Sequence, residues 1–177
     1  MSTVDLSTLI RDVPDFPTPG IVFKDISPLL ADPAAFTAAV DAMVDEAGVG
    51  SVDKVVGIEA RGFVLAAPVA YHLGAGFVPV RKPGKLPGPT HETAYDLEYG
   101  SNVLQVHRDA FAPGDRVLVV DDVLATGGTA AAAVRLVMQD GGQVVGVSVL
   151  LELGALGGRA VLATAHPGTP VHALLEY

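Results

Sequence analysis

Val119-Val120-Asp121-Asp122-Val123-Leu124-Ala125-Thr126-Gly127-Gly128-Thr129 runs from an apolar stretch through two carboxylates into a glycine-rich turn. Arg116–Asp121 reads as a buried strand, and Thr129–Asp140 as a helix stopped by Gly141-Gly142. Gln143–Leu151 follows as a second strand. Strand, tight loop, helix and strand in that order, with Val- and Leu-rich strands, indicate an α/β fold with a mainly parallel central sheet flanked by helices. Outward from this centre, Lys54–Ile58 and Gly76–Arg81 read as strands around a helix at Gly62–Leu73 closed by Gly74. Val171–Leu175 reads as a last short strand. Asp32-Pro33 opens a helix, with a capping side chain followed by proline at the first helical position. Its apolar residues Phe36, Val40, Met43, Val44 and Ala47 keep helical spacing until Gly48. Leu6, Leu9, Ile10 and Val13 suit a short amphipathic helix, after which Pro14, Pro17, Pro19 and Gly20 break regular structure. Residues 82–94, rich in Pro and Gly, read as a long loop, with strands predicted at Tyr95–Tyr99 and Val103–His107 after it.

The 177 residues suit a single domain spanning 1–177. With 50% hydrophobic and 18% charged residues, the chain is not intrinsically disordered. A net charge of −9 argues against broad binding of nucleic acid or anionic membranes, though not against a small anion in a local pocket. The absence of cysteine excludes disulfides, cysteine-ligated metals and cysteine nucleophiles. Met1–Asp5 lacks a basic stretch followed by an apolar run, so no secretory signal is read, and no apolar run reaches the ~20 residues of a membrane span. The expected address is cytoplasmic. The five histidines, His72, His91, His107, His166 and His172, lack zinc-ligand spacing and read as structural or surface residues.

In folds of this kind, ligands sit beyond the carboxyl ends of the strands. The glycines of the quoted loop let a backbone approach a ligand closely, and the helix start behind them adds partial positive charge. Thr126 and Thr129 supply hydroxyls. Asp121 and Asp122, at the other end of the loop, repel phosphate but accept hydrogen bonds from sugar hydroxyls. Together these groups match a ribose 5-phosphate. An ordinary βα turn is the plainer alternative. No Gly-x-x-x-x-Gly-Lys-Ser/Thr is present, and Gly74-Ala75-Gly76-Phe77-Val78-Pro79 precedes a strand instead of following one, so neither a P-loop kinase nor a dinucleotide site is read.

Asp121–Thr129 resembles the phosphoribosyl-pyrophosphate signature of the type I phosphoribosyltransferases. The resemblance extends to the adenine-using members through Phe16–Leu30, Ile58-Glu59-Ala60-Arg61-Gly62-Phe63, Arg81-Lys82-Pro83-Gly84-Lys85-Leu86-Pro87-Gly88 and Tyr95-Asp96-Leu97-Glu98-Tyr99-Gly100. Lys24 departs from it, since members often carry Arg there. The resemblance implies a type I phosphoribosyltransferase-like fold, with an N-terminal hood over about residues 1–32 and a flexible lid at 82–94. The implied reaction joins adenine to the phosphoribosyl group of phosphoribosyl pyrophosphate, giving AMP and pyrophosphate. Alternatives are transfer to xanthine, guanine or orotate, or a regulator that binds phosphoribosyl pyrophosphate without catalysis.

The resemblance also implies residue roles. Ala125, Thr126, Gly127, Gly128 and Thr129 would wrap the 5-phosphate, and Asp121 and Asp122 would meet the ribose hydroxyls directly or through the waters of a magnesium ion. No direct protein ligand to that Mg2+ is expected, because a hard dication pairs with the substrate's phosphates. Arg61, Lys82, Lys85 and Arg81 would hold the pyrophosphate, with Arg81 a candidate to serve a neighbouring subunit in a homodimer. Val22, Phe23 and Lys24 would bind the base, Phe23 by stacking and the other two by backbone. Glu98 would exchange a proton with the base. Taken alone, Arg61 reads as a surface residue, Phe23 as core and Glu98 as an exposed strand glutamate. An unusual peptide is expected at Ala60–Arg61.

Overall fold

The computed structural model describes residues 4–96 and 101–177, the side chains of Asp96 and Ser101 excepted. The chain divides into two compact units, residues 1–42 and 43–177.

The first unit departs from its predicted start. Only Leu6–Leu9 is helical, as a single 3-10 turn capped by Asp5. Arg11–Pro14 is instead a strand, β1, paired antiparallel with β2 at Val22–Asp25. Two local causes favour the ladder. The residue before Pro14 is sterically pushed out of helical geometry. The register also sets Arg11 opposite Asp25 and Asp12 opposite Lys24, which are opposite charges facing across the strands. Helix α1 (Ser27–Ala31) and helix α2 (Pro33–Ala47) follow. Asp32 caps α2 as its sequence predicts, with Oδ1 accepting the N–H groups of Ala34 and Ala35 at 2.9 Å each. Gly48, at φ +80°, ends the helix.

The second unit carries β3 (Lys54–Ile58), α3 (Gly62–Leu73), β4 (Gly76–Val80), β5 (Thr90–Asp96), β6 (Ser101–His107), β7 (Arg116–Leu124), α4 (Gly128–Gln139), β8 (Gln143–Glu152), α5 (Gly158–Ala165) and β9 (Val171–Glu176). Five strands form one sheet in the order β4-β3-β7-β8-β9, every neighbouring pair parallel. Val117–Val120 and Val147–Leu151 are buried residue after residue, as expected where helices cover both faces. At the amino-terminal edge, Arg116 grips Asp53 through Nε and Nη2, at 2.9 and 2.8 Å. These hydrogen bonds hold the Asp53 carboxyl down at about 2, and the pair pins the start of β7 to the entry of β3.

β7 runs past its predicted end at Asp121 to Leu124, so both carboxylates lie on the strand and not in the loop. Two further elements differ from the sequence reading. The irregular loop ends at Pro89, because β5 begins at Thr90 and pairs with β6 from Thr90↔His107 onward. Once the prolines and glycines stop, alternation takes over: Thr93 is buried between exposed Glu92 and Ala94. The second difference is α5, which the glycines and alanines of 154–165 do not announce. Leu162, 1% exposed, ties this helix to the core.

Candidate active site

Three loops converge at the carboxyl edge of adjacent strands. The register pairs Ile58 with Val80 and Gly57 with Val120, so the chain leaving β3 at Glu59 lies between Arg81 beyond β4 and Asp121 on β7. The resembling motifs at 58–63, 81–88 and 121–129 therefore meet in space, though they are far apart in sequence.

Asp121 and Asp122 stand at the centre. The Asp122 N–H donates to Asp121 Oδ1 at 2.9 Å. Arg61 Nε lies 2.7 Å from Asp122 Oδ2, with the Asp122 side chain only 7% exposed and that of Arg61 44% exposed. The guanidinium thus holds one carboxylate while a face remains open. Burial raises the Asp121 carboxyl well above its ordinary range, and the adjacent Asp122 charge adds to the rise. Burial also raises Asp122, opposed by Arg61. Gly62 is the residue that permits this packing, since a Cβ there would sit 2.7 Å from Asp121 Oδ1.

The loop after β7 turns through Gly127, at φ +83°, into α4. Gly127 occupies the N-cap position, so no capping side chain competes for the first N–H groups of the helix. The helix start, with its dipole and uncapped N–H groups, thus lies in the loop to which the sequence reading assigns the phosphate. Thr126 is exposed, and Ala125, Gly128 and Thr129 are half-buried.

Glu59, given no role by the sequence, organises the third loop. Its Oε2 accepts from Arg81 Nε at 2.8 Å and from the Lys82 N–H at 3.3 Å. The Arg81 guanidinium also lies 5.7 Å from the Phe63 ring centre. Lys82 and Lys85 remain exposed. The cis peptide lies at Glu59–Ala60, one bond earlier than the expected Ala60–Arg61, and Arg61 has helical backbone angles.

Val22, Phe23 and Lys24 form β2 of the N-terminal unit. Val22 is exposed; Phe23 is half-buried, edge-on to Phe16 at 5.1 Å; Lys24 Nζ pairs with Asp12 at 2.7 Å. Glu98 lies outside the described residues. His107 meets the Pro87 carbonyl, His166 the Ala131 carbonyl, His91 lies 3.8 Å from Asp140, and His172 pairs with Glu46. Among the described residues, no group of three or more His, Asp or Glu is placed to cage a metal, and no helix is long and apolar enough to cross a membrane.

Residues 28–160 match the family model of the phosphoribosyl transferase domain. The adenine phosphoribosyltransferase of Acidothermus cellulolyticus is 67% identical, over 94% of this chain and 92% of its own. The chain belongs to the adenine phosphoribosyltransferase family. The crystal structure of the Rhodothermus marinus adenine phosphoribosyltransferase superposes with a TM-score of 0.91 at 52% identity, covering 97% of this chain and 96% of that one. The Saccharomyces cerevisiae enzyme, complexed with an imino-altritol bisphosphate and adenine, gives 0.89 at 38% identity over 97% of both chains. Against this family, Glu59 and Gly62 are what the sequence reading missed. Their signal was present in the Ile58–Phe63 motif, but their partners, Arg81 and Asp121, become visible only once the strands are registered.

Proposed function

We infer that the chain transfers the 5-phosphoribosyl group of phosphoribosyl pyrophosphate to adenine, releasing pyrophosphate and forming AMP. The observation that carries this reading is the meeting, at one sheet edge, of a glycine-capped helix start, a carboxylate pair and a cationic loop. The yeast relative's complex with a sugar-like bisphosphate and adenine supports the same substrate pair.

The roles follow from the chemistry. The 125–129 loop holds the 5-phosphate, and Asp121 and Asp122 accept hydrogen bonds from the ribose hydroxyls. Arg61, Lys82 and Lys85 face the pyrophosphate, while Arg81, engaged by Glu59, anchors the root of the lid. The bond from ribose C1 to the pyrophosphate oxygen breaks with its electron pair on oxygen. A ring-nitrogen lone pair of adenine forms the new bond to C1, and the proton of that nitrogen passes to Glu98. Positive charge develops on the sugar during this exchange, so positioning and neutralisation of the leaving group supply most of the catalysis. Magnesium enters with the substrate as the counter-ion of its phosphates. The two carboxylates are hard oxygen donors that suit its hydration shell, and they form no protein cage.

By likeness to the family motif, the backbones of Val22 and Lys24 read the base and Phe23 stacks on it. Phe23→Ala is then expected to raise the adenine KM, by the ~1–3 kcal/mol that a base–aromatic contact is worth, while Lys24→Arg leaves it unchanged. A loss of base selectivity in Lys24→Arg would show that the side chain does the reading. Glu98→Gln keeps shape but cannot exchange a proton. It is expected to lower kcat by at least about tenfold at unchanged phosphoribosyl-pyrophosphate affinity. A near-normal kcat would remove Glu98 from the mechanism.

A homodimer is part of this proposal. Val64 and Tyr71, two turns apart on α3, and Phe77 on the outermost strand β4 are 43, 81 and 39% exposed. Phe77 lies edge-on to Phe63, under Arg81, and these exposed apolar side chains suit a second copy. Sedimentation should find a dimer at micromolar concentration that Tyr71→Glu dissociates, and a monomeric parent protein would reject it. A cytoplasmic address completes the reading. Incorporation of labelled adenine, hypoxanthine, guanine, xanthine and orotate tests the function as a whole. Uptake of adenine alone is expected, and preference for any other base would overturn it.

A further inference from the structure

The loop between β7 and α4 packs against a second backbone segment. A Cβ on Gly127 would lie 2.5 Å from the Gly158 carbonyl oxygen and 3.0 Å from Gly158 Cα. In the reverse direction, a Cβ on Gly158 would collide with the Ala125 carbonyl oxygen and lie 3.0 Å from Gly127 N. Gly127 and Gly158 thus pack backbone against backbone, with no room for a side chain on either. Gly157 turns at φ +67° to present this surface.

The supporting segment is itself pinned. Arg159 Nε lies 3.1 Å from Glu152 Oε2, its Nη2 bonds the same oxygen at 2.5 Å, and its Nη1 donates to the Val171 carbonyl at 2.6 Å. Glu152 is 6% exposed and pairs in register with Leu124, the last residue before the phosphate loop. At the other end of α5, His166 Nε2 bonds the Ala131 carbonyl in the first turns of α4 at 3.0 Å. A charged clamp, its carboxylate buried and its guanidinium partly exposed, therefore links β8, β9 and the start of α5 beside the strand end that leads into the loop.

We propose that Gly158 and Arg159 are positioning residues for the 5-phosphate: the Gly157–Gly158 turn, held by the Arg159–Glu152 pair, is the shelf that sets the conformation of residues 125–129. The proposal rests on the reading of 125–129 as the 5-phosphate site. Its mechanism is geometric. The N–H groups of the loop must aim at one point, and a shift of a fraction of an ångström disperses them.

The test separates the two phosphate ends of the substrate. AMP shares the ribose 5-phosphate with phosphoribosyl pyrophosphate, and inorganic pyrophosphate shares only the other end. Gly158→Ala, which pushes on Ala125, and Arg159→Lys, which keeps the charge but loses the forked grip, are measured beside Thr129→Val. Expected for both shelf variants is an AMP Kd and a phosphoribosyl-pyrophosphate KM raised together, about tenfold for Gly158→Ala and less for Arg159→Lys. The pyrophosphate inhibition constant and kcat at saturation should stay near those of the parent protein. Weakened AMP binding in Thr129→Val with none in the shelf variants would overturn the shelf and keep the phosphate loop. Unchanged AMP binding in all three would overturn both. Equal losses of AMP and pyrophosphate binding, accompanied by a lower Tm, would reduce the shelf to general stability and reject its positioning role. Should Gly158→Ala fail to fold, Arg159→Lys decides by the same readouts.

Discussion

Asp121→Asn is expected to lower kcat/KM by at least about a hundredfold while raising the thermal stability of the protein at pH 7. The two effects have one cause. Burial and the Asp122 charge push the Asp121 carboxyl upward, so the folded protein pays to keep it ionised. Its ordinary value is 3.8. Between that value and the raised folded one, the native state binds more protons than the unfolded chain. The contribution of Asp121 to stability therefore falls as pH climbs from about 3.8 through the folded pKa, and stays reduced above it. Asn removes the charge but retains an oxygen that accepts the Asp122 N–H, and it needs no extra room beside Gly62. Melting temperature followed against pH should show a shallower decline in the variant above pH 4 than in the parent protein. An Asn variant that is less stable at pH 7, or that keeps its activity, would show that the carboxylate is neither strained by burial nor used on the sugar.

The second large effect is expected at Gly127→Val. Its φ of +83° is unfavourable for any β-branched residue, at a cost of roughly 1–3 kcal/mol, and its Cβ would meet the Gly158 carbonyl at 2.5 Å. The sequence alone suggests that the valine would simply obstruct the phosphate while the fold stays intact. The structure instead predicts that stability falls too, because the side chain meets protein backbone. Gly114→Val separates the two contributions. Gly114 has φ +86° with nothing within 4 Å of an added Cβ, so it carries the backbone strain without the collision. Calorimetry well below both melting temperatures should find phosphoribosyl-pyrophosphate affinity reduced by about a hundredfold in Gly127→Val and retained in Gly114→Val. Retained affinity in a folded Gly127→Val would reject the phosphate-loop assignment.

Much of the architecture was legible before any coordinates. Lys54–Ile58 and Gly62–Leu73 fall where the apolar periodicity and Gly74 put them, and the Asp32 cap forms as its side chain dictates. Local chemistry suffices there: strand runs buried on both faces, a capping carboxylate and left-handed glycines each act within a few residues. The strand, turn and helix start around Asp121–Thr129 were legible for the same reason, as they are contiguous. Reading failed where a competing partner was distant. Leu6–Val13 has helical spacing, yet Arg11 and Asp12 found opposite charges on β2, and Pro14 discouraged the helix. Thr90–Ala94 was absorbed into a loop because its ladder partner, Val103–His107, lies further along the chain.

The sequence by itself determined the strands and helices around Asp121–Thr129 and the parallel α/β class, because each depends on neighbours along the chain. Only the tertiary structure decided that Glu59 binds Arg81, that Arg61 faces Asp122, and that Gly158 underlies Gly127. Those contacts depend on strand order and register, which place residues tens of positions apart within hydrogen-bond or van der Waals reach. No local propensity encodes them, since a glycine that leaves room for a distant backbone looks like any other turn glycine until that backbone is in place.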